Sequence, residues 1–191
     1  GGETGVYASR DGGATWTRLS GPDANRGLPK GPMDRIGLAV ARSNPNIVYV
    51  LSETTDEGEL WRTDDAGATW RTVNRDPNIN FRPFYYSDIR VDPQHPNTVY
   101  TLAGGLSKSE DGGRTFARIG GRTHGDHQAM WIDPTNPNRV LLGDDGGFQI
   151  SYDAGLTFDI INNIPFTQFY NVAYDLQTPY HLCGGLQDNG T

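Results

Sequence analysis

One eight-residue pattern, Ser/Thr-x-Asp-x-Gly-x-Thr-aromatic, constrains this chain more than any other feature, because it occurs four times in 191 residues. The copies occupy residues 9–16, 63–70, 109–116 and 151–158. Their central aspartates, Asp11, Asp65, Asp111 and Asp153, are 54, 46 and 42 residues apart. An Asp carboxylate accepts nearby backbone N–H groups, and Gly supplies the backbone angles of a tight turn. The Thr and the aromatic ring then restart a strand. A turn repeated at about this interval is the signature of propeller blades. A calcium loop of EF-hand type needs more oxygen ligands and a terminal Glu, which none of the copies supplies. The four aspartates are therefore read as folding residues.

A second repeat runs in phase with the first. Residues 40–49, 91–100 and 132–141, with a weaker copy at 174–182, each give an apolar strand, a Pro/Asn turn and another apolar strand. Pro45, Pro96, Pro137 and Pro179 are 51, 41 and 42 residues apart. The two repeats together predict an all-β chain: a β-propeller segment of four-stranded antiparallel blades. Whole blades are expected at 35–74, 87–120 and 128–162. A half blade of strands C and D is expected at 1–20, and one of strands A and B at 169–191. The third blade has A near 129–133, B near 139–142, C near 147–151 and D near 157–161. The terminal halves either join into a fourth blade or belong to a larger propeller, and the second arrangement is preferred. Open blade faces and sheet edges in such a segment invite association, with a partner or with further parts of a larger chain.

Twenty-five glycines and 12 prolines suit this turn-rich reading. The formal net charge of −7 argues against nucleic acid or an anionic membrane as partner. Cys183 is the single cysteine, so no internal disulfide and no thiolate zinc site can form. A buried, inert thiol in a strand is expected there. Residues 189–191, Asn-Gly-Thr, match the N-glycosylation pattern.

The strand order puts the Pro/Asn turns and the aspartate turns on one rim, and the D–A and B–C loops on the other. Chemistry is sought on the second rim. Residues 123–128 hold His124, Asp126 and His127, which could offer metal ligands, a polar ligand site or a structural network; the polar-ligand site is preferred, and no metal is assigned. Asp144 and Asp145 sit among glycines in the next B–C loop, and Gln187 and Asp188 occupy the equivalent place one blade on. Paired carboxylates are what glycoside hydrolysis needs, at separations of roughly 5–9.5 Å. The candidates are Asp144 or Asp145 against Asp188 or Asp126. Aromatic stretches at 81–86 and 165–170 lie on the same rim and offer sugar-stacking platforms or packing. No P-loop, dinucleotide fingerprint or serine elbow is present, so no cofactor is expected. His95 falls in a turn on the opposite rim and is read as structural.

The repeated octapeptide resembles the Asp-box of the BNR superfamily. The stretch from Gly27 to Tyr49 is similar to lead-in strands of bacterial sortilin-like proteins and of glycoside hydrolase family 74, the xyloglucan-active enzymes. Sortilin-like proteins bind peptides or proteins and are often secreted, so the resemblance implies an extracytoplasmic binding scaffold for a polysaccharide, protein or peptide. Family 74 enzymes use two aspartates from two facing propeller domains, so the alternative is a hydrolase of β-glucan or xyloglucan. No arginine here carries the pattern of a sialidase triad, and no catalytic set transfers residue by residue.

Overall fold

The computed structural model describes residues 4–23, 25–85, 87–161, 163 and 168–188. These form sixteen short strands and a single 3₁₀ turn at Pro77–Asn80. The first sheet is β3 (Ile36–Val40), β4 (Val48–Ser52), β5 (Leu60–Thr63) and β6 (Arg71–Asn74), paired in that order. The second is β7 (Asp88–Val91), β8 (Val99–Leu102), β9 (Leu106–Ser109) and β10 (Ala117–Arg118). The third is β11 (His127–Ile132), β12 (Val140–Asp144), β13 (Gly147–Ser151) and β14 (Asp159–Ile161). Every pairing is antiparallel between chain neighbours. The pairs β1–β2 (Tyr7–Ala8, Thr17–Arg18) and β15–β16 (Ala173–Tyr174, Leu182–Cys183) remain separate two-stranded sheets. Among the described residues, no helix is long and apolar enough to cross a membrane.

Alternation along the B strands builds the core. In β4, Val48 and Val50 point toward β1–β2 and join Val6, Leu19, Trp61 and Trp70. Tyr49 and Leu51 point the other way, into a cluster with Ile89 and Val99 of the second sheet. In β8, Val99 belongs to that cluster, whereas Tyr100 and Leu102 meet Met130, Val140 and Leu142 of the third sheet. A strand buried on both faces reads as a continuous apolar run, and each large side chain so buried contributes about 1.5–3 kcal/mol. The two tyrosine hydroxyls are satisfied across the sheet boundaries, by Pro96 O at 2.9 Å and Ala154 O at 3.1 Å. The far side of the third sheet is less covered, with Trp131 and Ile160 exposed.

Each octapeptide closes the same set of bonds. In the second copy the Thr63 hydroxyl donates to Asp65 at 2.7 Å and accepts from Gly67 N at 3.0 Å. Asp65 also accepts from the Thr69 amide at 2.8 Å and the Thr69 hydroxyl at 2.6 Å. Asp11, Asp111 and Asp153 have equivalent partners. The carboxylates so bonded are held down at about 2. In each complete sheet the A–B turn is tied to this turn, with Asn46, Asn97 and Asn138 carbonyls accepting from Ala66, Gly112 and Ala154 amides at 2.9 Å. These bonds place the two turn types on one rim.

Cys183 corrects an expectation. It is exposed, not buried, as are both residues of β15 and Leu182. A two-stranded hairpin has no sheet interior of its own, and no neighbouring layer covers this one among the described residues.

Candidate functional site

Loops converge on the opposite rim. The Glu57 carboxylate accepts from the amides of Lys30 and Gly31 at 2.8 and 2.6 Å, joining the loop before β3 to the β4–β5 loop. The His127 amide reaches Ala103 O at 3.3 Å, joining the third sheet to the β8–β9 loop of the second. Gly125 lies against the Gly104 carbonyl, where a side chain would be 3.2 Å from that oxygen. Phe81 packs against Gly104.

His127 and Asp144 are not loop residues, as the sequence suggested. The β11–β12 ladder runs past its apolar stretch, through an irregularity between His127 and Ala129, and ends with His127 opposite Asp144. Facing cross-strand residues are close enough to interact. Nδ1 of His127 is 3.5 Å from Asp144 Oδ2, and both side chains are buried, at 1% and 0% exposure. Asp144 also accepts from Gly146 N at 3.0 Å and from the Gln149 side-chain amide. Gln149 carried no signal in the sequence beyond being a polar residue in an apolar strand. Its partner Asp144 is withdrawn from solvent. At 3.5 Å the His127–Asp144 pair is an electrostatic contact, and neither ring nitrogen of His127 makes a hydrogen bond among the described residues.

The neighbouring candidates remain accessible. Asp145 accepts from Gln128 Nε2 at 3.2 Å. His124 packs over Gly146 and places Nδ1 3.1 Å from the Gly125 carbonyl, to which the protonated nitrogen donates. Asp126 adopts positive φ, at 61°, a conformation that Asp tolerates better than most residues. Its Oδ1 is 3.9 Å from Arg82 Nη1. That guanidinium lies 5.9 and 5.7 Å from the ring centroids of Phe84 and Tyr85, both exposed. The structure thus brings part of the aromatic stretch beside the acidic loop; Tyr86 lies outside the described residues.

Asp188 and Gln187 stand apart. No hydrogen bond or ion pair joins Asp188 to another described residue, and the Gln187 amide donates to Gln168 O at 3.0 Å within the terminal hairpin. Phe169 forms a bridge with Leu186, and Tyr170 is exposed. Pro165, Phe166, Thr167 and the triplet at 189–191 lie outside the described residues. His95 pairs with Asp92 at 3.2 Å on the first rim. No group of three or more His, Cys, Asp or Glu side chains among the described residues is arranged to hold a metal.

A carboxyl that sequence reasoning passed over lies on this rim. Glu59, just before β5, is buried and accepts from Asn80 Nδ2 at 3.2 Å; Ser87 donates to Asn80 Oδ1 at 2.9 Å. Burial pushes the Glu59 carboxyl up to about 7. The network locks the loop carrying Phe84 and Tyr85 to the first sheet.

Comparison with solved structures decides the architecture. A Niastella koreensis GH74 enzyme superposes with a TM-score of 0.62 and 18% identity, over 97% of this chain and 30% of that one. The fold is that of a β-propeller. A GH74 xyloglucanase from Xanthomonas campestris gives a TM-score of 0.56 and 19% identity, over 89% of this chain and 29% of that one. The three four-stranded sheets are therefore propeller blades, and the two rims are the faces of the propeller. Among curated proteins, a probable oligoxyloglucan-reducing end-specific xyloglucanase of Neosartorya fischeri is 25% identical over 158 residues. That match covers 76% of this chain but 19% of the relative, so the chain spans about a fifth of its length. No family model matches the chain.

Proposed function

We propose that this chain is part of a non-catalytic carbohydrate-binding propeller of the Asp-box kind, working outside the cytoplasm. Its ligand lies across the loops between the second and third blades. The observation that carries this reading is the placing of exposed Phe84 and Tyr85 beside Asp126, with Arg82 between rings and carboxylate. Sugar rings stack their C–H faces on aromatic side chains, while carboxylates, amides and imidazoles bond the hydroxyls. Asp126, Asp145, Gln128 and His124 supply those polar groups; Asp144 and His127 hold the loop behind them.

A second reading, hydrolysis of xyloglucan or a related β-glucan, is favoured by the likeness to xyloglucanases. Asp126 and Asp145 are the carboxylates open to substrate, because Asp144 is enclosed. One experiment separates the readings. Xyloglucan oligosaccharides are titrated into the full-length protein by calorimetry, with reducing ends assayed in parallel. Binding without turnover is expected, weakened by at least about tenfold in a Phe84→Ala/Tyr85→Ala variant. Unaltered affinity in that variant rejects the site, and turnover lost in Asp126→Asn or Asp145→Asn replaces the scaffold reading with the enzymatic one.

A further inference from the structure

The first rim carries a pocket that the loops of the second rim do not explain. It has a volume of about 390 Å³ and lies where the first and second blades meet. Arg62 and Arg71 line it from the first blade, and Asn97, Glu110 and Arg114 from the second. Asn74 Nδ2 clamps the blades beside it, donating to Gly113 O at 3.1 Å and Arg114 O at 3.0 Å.

Three guanidinium groups converge there in a chain whose net charge is −7. Arg62, 10% exposed, is fixed at the back. Its Nη1 donates to Tyr49 Oη at 2.8 Å and Asn97 Oδ1 at 2.6 Å, and its Nε and Nη2 donate to Asp64. Gly112 stands above it at φ 78°, and a Cβ there would be 2.4 Å from Arg62 Nη1. Arg71 gives one nitrogen to Asp64. Arg114 is aimed by its Nε, which donates to Asp111 O at 3.0 Å, leaving both Nη groups without a described partner. Asp111 has its carboxylate taken up by Ser109, Arg114 N and Thr115. One Glu110 oxygen meets Lys108 Nζ at 2.8 Å, and the other remains as an acceptor. The pocket therefore presents paired guanidinium donors, an amide and a carboxylate acceptor around a space adequate for one sugar ring.

We propose that this pocket binds a uronic acid residue, a carboxylate that also carries several hydroxyls. Arg71 and Arg114 take the carboxylate, since planar guanidinium forks match its geometry. Asn97 Nδ2 and Glu110 bond the hydroxyls. An acidic peptide fits less well, because Val73 is the one apolar side chain of the lining and peptide recognition draws on apolar anchors. The proposal stands independently of the carbohydrate reading of the other rim.

The test is a two-dimensional NMR titration of the protein with glucuronate and galacturonate, with glucose, acetate, inorganic phosphate and a short Glu-rich peptide as controls. Shifts confined to residues around Arg71, Asn97 and 110–114 are expected, saturating in the millimolar range and absent with glucose. Arg71→Ala/Arg114→Ala should abolish them while leaving the rest of the spectrum in place; Arg114→Gln alone, which removes less, should weaken them several-fold. Shifts that survive the double substitution, or that map to the loops around Asp126, overturn the proposal. So does equal binding of acetate or phosphate, which marks a general anion patch, and so does tighter binding of the peptide.

Discussion

The first and second aspartate turns are the same structure in different surroundings. Both close the Ser/Thr–Asp–Thr bonds within tenths of an ångström, and both hold their aspartate at about 2. Yet Trp70 is 8% exposed and Trp16 is 63% exposed. Trp70 is covered by the chain that precedes its blade: its amide donates to Arg26 O at 2.6 Å, and its ring joins Leu28 and Met33. Trp16 bonds only locally, Nε1 to Gly13 O at 3.0 Å, whereas Trp70 Nε1 has no partner. The turn is thus self-sufficient in hydrogen bonds, while its stabilising burial is a property of neighbours. This is how stability is distributed in repeat proteins, where each unit leans on the next.

The largest test of that contrast is a matched truncation. Trp70→Ala should cost about 3–5 kcal/mol in urea unfolding, as other buried aromatic deletions do. Trp16→Ala should stay within about 0.5 kcal/mol, as exposed substitutions do. Trp70→Phe should restore much of the loss, since Phe116 and Phe158 fill the same place and leave no indole N–H unsatisfied. Equal losses at the two tryptophans would mean that the turn, and not its cover, carries the energy.

The contrast also explains what the sequence could and could not disclose. The turn is legible because its bonds run between residues two to four apart, so the octapeptide alone encodes it, and the rim follows from the second repeat running in phase with it. The sequence places His127 and Asp144 in loops because hydrophobic alternation ends before the ladder does; buried polar residues facing each other extend the strand pair without an apolar signature. Glu59 has no local signature because its environment comes from Asn80, 21 residues away, and Ser87 behind it. Arg82 had no visible tie to Asp126, since only the packing of one blade's leading loop on the next brings them together. For Cys183, a strand-like run says nothing about what lies on it.

Two carboxyls of one blade carry the comparison into pH. Asp65 on the first rim is held ionised by its bonds with Thr69 and Thr63, whereas burial keeps Glu59 on the second rim protonated up to about 7. Depressed aspartates contribute stability that is present above their ordinary value of 3.8 and is lost as pH falls through about 2. Glu59 acts with the opposite sign. Between its ordinary 4.5 and about 7 the folded state binds more protons than the unfolded chain, so stability declines as pH rises. Midpoints of urea unfolding should therefore climb from pH 2 to about 4 and fall from there to about 7. Glu59→Gln should remove the descending limb and leave the acid limb intact. A descending limb that persists in the variant would assign it to another group.

The smallest expected effect on stability lies at the opposite end of the chain. Cys183 belongs to a hairpin whose strands are exposed, in contrast to β4 and β8, which are buried on both faces. A maleimide should modify Cys183 in the native protein as fast as in urea, because no opening step precedes access to the thiol. Cys183→Ser should leave the unfolding midpoint unchanged within about 0.5 kcal/mol. Slow native labelling that speeds up on unfolding would show that the hairpin is covered in solution. Trp131 and Ile160 are strand residues left open on the last complete blade, and a layer that covered them together with the hairpin would protect all three side chains. Protection of Cys183 and of those two residues should accordingly rise or fall together, and protection of one without the other would separate the hairpin from the blade face as independent surfaces.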